Sequence, residues 1–214
     1  MAGGRLSGRF GTAGQRFARL ATDASVAQPG LWRLFRRPLR AQFDRLAPVW
    51  EGRVGPEGLA PLVDALERVE ASPRRVLDLG TGTGKGARAV AARLLEAEID
   101  AVDLSSAMIE EARRLLPAEL AWRVRFEVAD ASALPFPDGM FDLAVLLNMI
   151  PFFGELARVV APAGSVIFAF SFGAGTPIYV PPEALRARLA PLGFGRFEEL
   201  AAGRGTALLA YRIV

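Results

Sequence analysis

The chain of 214 residues is 51% hydrophobic and carries 26 basic against 23 acidic side chains, a net charge of +3. It has neither Cys nor His, which excludes disulfides, thiolate nucleophiles, sulfur-ligated metals and histidine-dependent hydrolysis. No apolar run reaches the roughly 18–20 residues of a membrane span, and the N-terminus lacks the apolar core of a secretory signal, so a cytoplasmic protein is expected.

Charge is unevenly spread. Residues 1–45 hold Arg5, Arg9, Arg16, Arg19, Arg33, Arg36, Arg37, Arg40 and Arg45 against Asp23 and Asp44, a balance of +7, while the remainder carries −4. This basic head is expected to attract acidic partners or an acidic surface. Nucleic acid is not an expected partner, because the arginines belong to no known binding module and lie outside the glycine-rich region.

Residues 1–30 are rich in Gly, Ala, Ser and Thr and read as a loosely ordered arm. From Leu31 to Trp50 apolar positions recur at helical steps (Trp32, Phe35, Leu39, Phe43, Leu46, Trp50), with Pro38 predicting two short helices rather than one. Such a stripe packs on a core or lids a site, and Pro38 weakens a membrane-surface reading. Glu57 to Val69 reads as a further helix, with Pro56 at its first turn. From Arg74 onward strands are predicted near 75–79, 99–103, 124–128, 141–147, 164–172, 194–199 and 206–213. Helices are predicted near 84–95, 105–115, 154–160 and 181–190, with Ser105 as an N-cap. Short apolar strands alternating with helices predict an α/β fold whose mostly parallel sheet is covered on both faces, a three-layer sandwich. Gly203 and Gly205 predict a closing antiparallel hairpin. The expected organisation is an N-terminal arm and helical cap over 1–73 and a binding domain over 74–214.

The run Arg75 to Ala91 carries the chemistry. A buried strand holding Asp78 runs into Gly80, Gly82, Gly84 and Gly86, and a helix follows. Glycines let the backbone approach a ligand closely, and the helix start offers free N–H groups. A phosphate-binding P-loop is rejected, since neither its loop span nor its magnesium-binding hydroxyl is present. A dinucleotide fingerprint survives in Gly82, Gly84 and Ala87 with Asp103 about twenty residues on. Asp78 argues against it, because a carboxylate there repels a pyrophosphate and suits an ammonium.

Asp78-Leu79-Gly80-Thr81-Gly82-Thr83-Gly84 and Val102-Asp103-Leu104-Ser105 closely resemble the Rossmann-like class I S-adenosylmethionine-dependent methyltransferases, particularly their type 11-like small-molecule group. Val128 to Asp142 resembles that group's segment between the third and fourth strands, and Arg158 to Gly164 its turn into the fifth. The four segments are in order and cover about residues 74–172. The resemblance implies a seven-stranded sheet with its last strand antiparallel, S-adenosyl-L-methionine as cofactor, no metal, and methyl transfer to a small molecule. It implies that Asp78 and the turn from Gly80 through Thr81 and Gly82 to Gly84 face the methionine portion, that Asp103 binds the ribose, and that Asp130 and Ala131 face the adenine. Leu104 and Met108 would pack on the base, and Asn148 would face cofactor and substrate. Members often carry a His after the fourth strand; here Asn148 to Glu155 has none and reads as shortened, which implies a reduced substrate wall.

Trp32, Phe35, Phe43, Phe152 and Tyr179 are the expected acceptor contacts. No general base stands out, although Glu51 and Tyr179 are available. Asp142 reads as structural and Lys85 as a solvated helix-start residue. The competing functions are an NAD(P)-dependent oxidoreductase and a catalytically silent methyltransferase-like binding protein. A homodimer is the remaining partner expectation.

Overall fold

The structure is a computed structural model and describes residues 12–70 and 72–213. Seven strands form one sheet in the order β3-β2-β1-β4-β5-β7-β6. They are β1 (Arg75–Leu79), β2 (Glu98–Asp103), β3 (Val124–Val128), β4 (Phe141–Leu147), β5 (Val160–Phe170), β6 (Phe194–Ala202) and β7 (Gly205–Arg212). β1 to β5 pair in parallel, and β7 runs antiparallel to both β5 and β6. The strand order reverses between β1 and β4, so the loops leaving β1 and β4 diverge and open a crevice at their C-terminal ends.

Alternation along the central strands builds two cores. Leu77, Leu79, Ala144, Leu146, Phe168 and Leu208 point to one face. Val76, Leu143, Val145, Ile167 and Leu209 point to the other. Burial on both faces explains why these strands read as continuous apolar runs. The second face is covered by α3 (Ala60–Arg68), α4 (Lys85–Arg93) and α5 (Ser106–Leu115), which supply Leu62, Val90 and Ile109. The first is covered by α6 (Phe153–Val159) and α7 (Pro182–Leu189), with Leu156 and Leu185. The Rossmann-like three-layer arrangement is thus as expected, down to the late hairpin, which turns through Gly203 and Arg204.

The N-terminal third departs from the sequence reading. Thr12–Ala27 is a helix, α1, not a loose arm; residues 1–11, with Arg5 and Arg9, lie outside the described residues. Its inner stripe is Ala18, Ala21, Thr22 and Ser25, all buried at helical spacing. Trp32–Trp50 is one continuous helix, α2, despite Pro38 and Pro48. An interior proline costs about 3 kcal/mol. Here α2 packs against α5 and buries Trp32, Leu39 and Ala47, which offsets that cost. The predicted helix at 57–69 begins as a 3-10 turn, Pro56–Leu59, and becomes α3 only at Ala60. β5 starts at Val160, earlier than predicted, pairing with Phe141 before its register shifts. Among the described residues no helix is long and apolar enough to cross a membrane.

Candidate active site

β1 ends at Leu79, and the chain then reverses through Gly80, Gly82 and Gly84, all at positive φ. Each places backbone where a side chain is strained. Gly84, at φ 82°, is the N-cap of α4, and a Cβ there would meet the Phe126 ring at 2.8 Å. A Cβ at Gly82 would meet Trp50 Nε1 at 3.0 Å, and one at Gly80 would collide with Met149. Gly86 lets the first turn of α4 close on Asp78, whose oxygens lie 2.8 and 2.9 Å from the position of a Cβ.

Asp78 is buried, and its Oδ2 accepts a hydrogen bond from Thr81 Oγ1 at 2.6 Å. Burial pushes its carboxyl up to about 6, against the hydrogen bonds from Thr81 and the Ala87 N–H. Asp103, at the end of β2, accepts from Gly82 N and Ser105 N, both at 2.9 Å. Burial raises this carboxyl too, opposed by those two backbone donors. One residue thus ties the glycine turn to the start of α5. Ser105 caps that helix as expected, its Oγ accepting from Met108 N at 3.1 Å.

Asp78, Gly80, Thr81, Gly82, Asp103, Leu104, Met108, Ala131 and Asn148 line a single cavity at the crevice, together with Trp32 and Phe43. Asn148 is one of two non-glycine residues at positive φ among those described. Its amide donates to Ser171 Oγ at 2.8 Å and accepts from Ser171 N at 2.9 Å, which couples the ends of β4 and β5.

Other expected contacts fall elsewhere. Gly84 faces Phe126 and Ala112 behind the turn. Phe35 packs on Phe17, Phe152 stacks edge-on against Trp32 with centroids 5.1 Å apart, and Tyr179 packs on Phe170. None of these three aromatics borders the cavity: Phe35 packs between α1 and α2, and Phe152 and Tyr179 pack against the core. Asp130 is also off the cavity wall. Its Oδ1 accepts from Trp32 Nε1 at 2.8 Å and from the Ser132 N–H and hydroxyl, while Oδ2 accepts from Arg36 at 3.3 Å. Burial opposes ionisation of Asp130, but those donors outweigh it and hold the carboxyl below its ordinary value.

The roof of the cavity is α2, and most of its attachments had no sequence signal beyond charge. Asp130 after β3 holds the N-terminal end of the helix. In the middle, Ser105 Oγ after β2 donates to Asp44 Oδ1 at 2.5 Å. Glu51, just past the helix end, accepts from Thr83 Oγ1 at 2.6 Å and from Arg88 at 2.8 Å. Lys85 is not solvated: its Nζ donates to the carbonyls of Glu51 and Val54. Asp142 is structural as expected, accepting from the N–H groups of Arg74 and Arg75 at the start of β1.

A family model described as a methyltransferase domain matches residues 76–164. Over 153 residues the chain is 40% identical to a malonyl-[acyl-carrier protein] O-methyltransferase of Halorhodospira halophila, an alignment covering 66% of this chain and 50% of that protein. Over 106 residues it is 42% identical to a demethylmenaquinone methyltransferase of Thermus thermophilus, covering 46% and 48% respectively. The chain therefore spans about half the length of these relatives. A SAM-dependent methyltransferase from Aquifex aeolicus superposes with a TM-score of 0.59 at 18% identity, over 78% of this chain and 98% of that one, and so shares the fold.

Proposed function

Given that the chain carries a class I, Rossmann-like S-adenosylmethionine-dependent methyltransferase domain, we propose that it transfers a methyl group to a small-molecule acceptor by direct displacement. One observation carries this reading. Asp78 and Asp103, from adjacent strand ends, share one cavity with the glycine turn between them. The residues present suit the cofactor: a buried carboxylate for an ammonium, a second for a ribose edge, and Leu104, Met108 and Ala131 as apolar surface for a base. When bound, the cofactor supplies a methyl group made electrophilic by a positively charged sulfur.

The protein's own contribution is placement and exclusion of water. Asp78 and Thr81 bind the aminoacyl end, Asp103 fixes the sugar, and Gly80 and Gly82 let the backbone close on the ligand. Asn148 holds the β4 loop against Ser171. Trp32, Phe43 and Trp50 roof the cavity, so the N-terminal addition acts as a cap through α1 and α2, with α3 belonging to the sheet layer. Asp130 serves this cap: it anchors α2 through Trp32 and Arg36 beside the expected base site. The outward arginines Arg33, Arg37 and Arg45 favour an anionic neighbour, and we read the protein as cytoplasmic and competent to form a homodimer.

Calorimetric titration with S-adenosylhomocysteine and with NADH tests the reading. Micromolar binding of the first and none of the second is expected. Binding of NADH alone would favour the oxidoreductase instead, and cofactor binding without transfer across an acceptor panel would leave a silent binding protein.

A further inference from the structure

α2 has a second face, turned away from the cavity. Leu34, Arg37, Ala41, Arg45, Pro48 and Val49 follow one another at helical spacing and are all exposed. Leu34 and Val49 are 62% and 59% exposed. Pro38 belongs to the same stripe and leaves the helix unbroken, so it no longer speaks against a surface-binding helix. The face carries no carboxylate, because the one acid of α2, Asp44, turns inward to Ser105. Arg36 and Arg40 also turn inward, the first to Asp130 and the second to Asp44 and Ser106. Arg33, Arg37 and Arg45 do not: among the described residues none of the three has an ion-pair or hydrogen-bond partner. Elsewhere exposed arginines are matched, Arg114 by Glu111, Arg125 by Glu98 and Arg186 by Glu199. Uncompensated positive charge and exposed aliphatic side chains thus share one face of a rod roughly 28 Å long.

We propose that this face docks α2 flat on a membrane surface that bears anionic phospholipid. A guanidinium fork grips phosphate oxygens two at a time, and the surface's negative potential attracts each arginine. Leu34, Ala41 and Val49 then enter between the headgroups, where their apolar area leaves water. A folded acidic protein is the weaker match. It needs hydrogen-bonding side chains to fix its register, and apart from the arginines this stripe offers none, whereas a fluid lipid surface needs no register. The contact lies on the membrane, since no described helix is able to span one. Trp32, Leu39 and Phe43 line the cavity from the opposite side of α2, so docking is independent of what the cavity binds.

Co-sedimentation of the full chain with vesicles tests this. The vesicles are pure phosphatidylcholine, or phosphatidylcholine with about 30% phosphatidylserine. Three arginines at roughly fivefold each predict partitioning about a hundredfold tighter to the anionic vesicles at low salt. The preference is expected to shrink steeply as salt rises toward about 0.5 M. Arg33→Gln/Arg37→Gln/Arg45→Gln should abolish it. Arg68→Gln/Arg74→Gln/Arg75→Gln makes the same charge change at exposed positions beside the start of β1, and is expected to alter it by less than about threefold. Leu34→Ser/Val49→Ser should weaken anionic-vesicle binding by about tenfold, which charge attraction alone does not explain. All these sites are exposed, and thermal melts of the variants are expected to match the parent. Should the α2 arginine variant unfold, the serine pair carries the test. Equal partitioning to the two kinds of vesicle, or equal losses from the two arginine triples, overturns the proposal. Soluble polyglutamate bound as tightly as the vesicles, and unaffected by the serine pair, would make the face a dock for an acidic protein and overturn it too.

Discussion

The floor and the roof of the cavity are held by different kinds of contact. The floor is backbone: Gly82 and Ser105 N–H groups converge on Asp103, and Gly86 brings α4 onto Asp78. The roof is side chain: Trp32 and Arg36 on Asp130, Asp44 on Ser105, Glu51 on Thr83 and Arg88. Each floor contact has one side held by backbone that moves only if the turn deforms, whereas in each roof contact both partners are side chains and either can leave by a rotamer change. The floor is therefore the rigid half, and the roof is the half that opens at low cost.

The largest effect is expected from the floor. Asp103→Ala leaves two largely enclosed N–H groups unpaired, a loss of about 2–5 kcal/mol of stability. Thermal melts measure that loss, and calorimetry should show S-adenosylhomocysteine affinity falling by about 100-fold or more. An unchanged affinity would remove Asp103 from the site.

Asp78 gives the next effect, through pH. Its folded pKa, about 6, lies above the ordinary carboxylate value, so between roughly pH 4 and 6 the folded state binds more protons than the unfolded chain. Stability is then expected to fall as pH rises through that window, by an amount on the order of 3 kcal/mol, and to level off above it. Asp78→Asn should flatten this part of the profile. A ligand ammonium favours the ionised carboxylate, so cofactor affinity is expected to increase from pH 5 to 7 with uptake of ligand releasing a proton. Titration in buffers of different ionisation enthalpy measures that proton, and its absence would separate Asp78 from the ammonium.

The roof variants are milder. Glu51→Gln removes a half-exposed carboxylate shared by Arg88 and Thr83, and about 1 kcal/mol of stability is expected to go with it. Amide exchange in the last turns of α2 should quicken while exchange in β1 does not. Trp32→Phe keeps an aromatic ring and deletes the donor to Asp130, again at about 1 kcal/mol. It is expected to raise the acceptor KM more than the cofactor Kd. Equal losses in both would make Trp32 a core residue with no part in acceptor binding.

The same contrast decides what the sequence discloses. Strands buried on both faces must be apolar throughout, and backbone that turns at positive φ must be glycine, so the sheet and the turn are written in residue type. Asp78 and Asp103 are readable for that reason, standing at strand ends beside that turn. The roof leaves fainter marks. α1 buries Ala18, Ala21, Thr22 and Ser25, a correctly spaced stripe whose small side chains resemble linker composition. Pro38 signals a break that the packing of α2 overrides. Asp130 has the right residue type for an adenine site, but its partner is a tryptophan 98 positions earlier, and only the folded chain brings the two together. Glu51 and Lys85 likewise look like ordinary surface charges until the end of α2 is laid across the glycine turn.

The three tryptophans are divided in a convenient way. Trp32 and Trp50 both face the cavity, one at each end of α2, whereas Trp122 stands 70% exposed in the turn just before β3, beside Arg123. Trp122→Phe would silence the solvent-facing emitter at little structural expense. The remaining tryptophan emission, excited beyond the absorption of Tyr179 and Tyr211, would then come wholly from the roof, giving an optical readout of occupancy and of helix lifting without any attached dye.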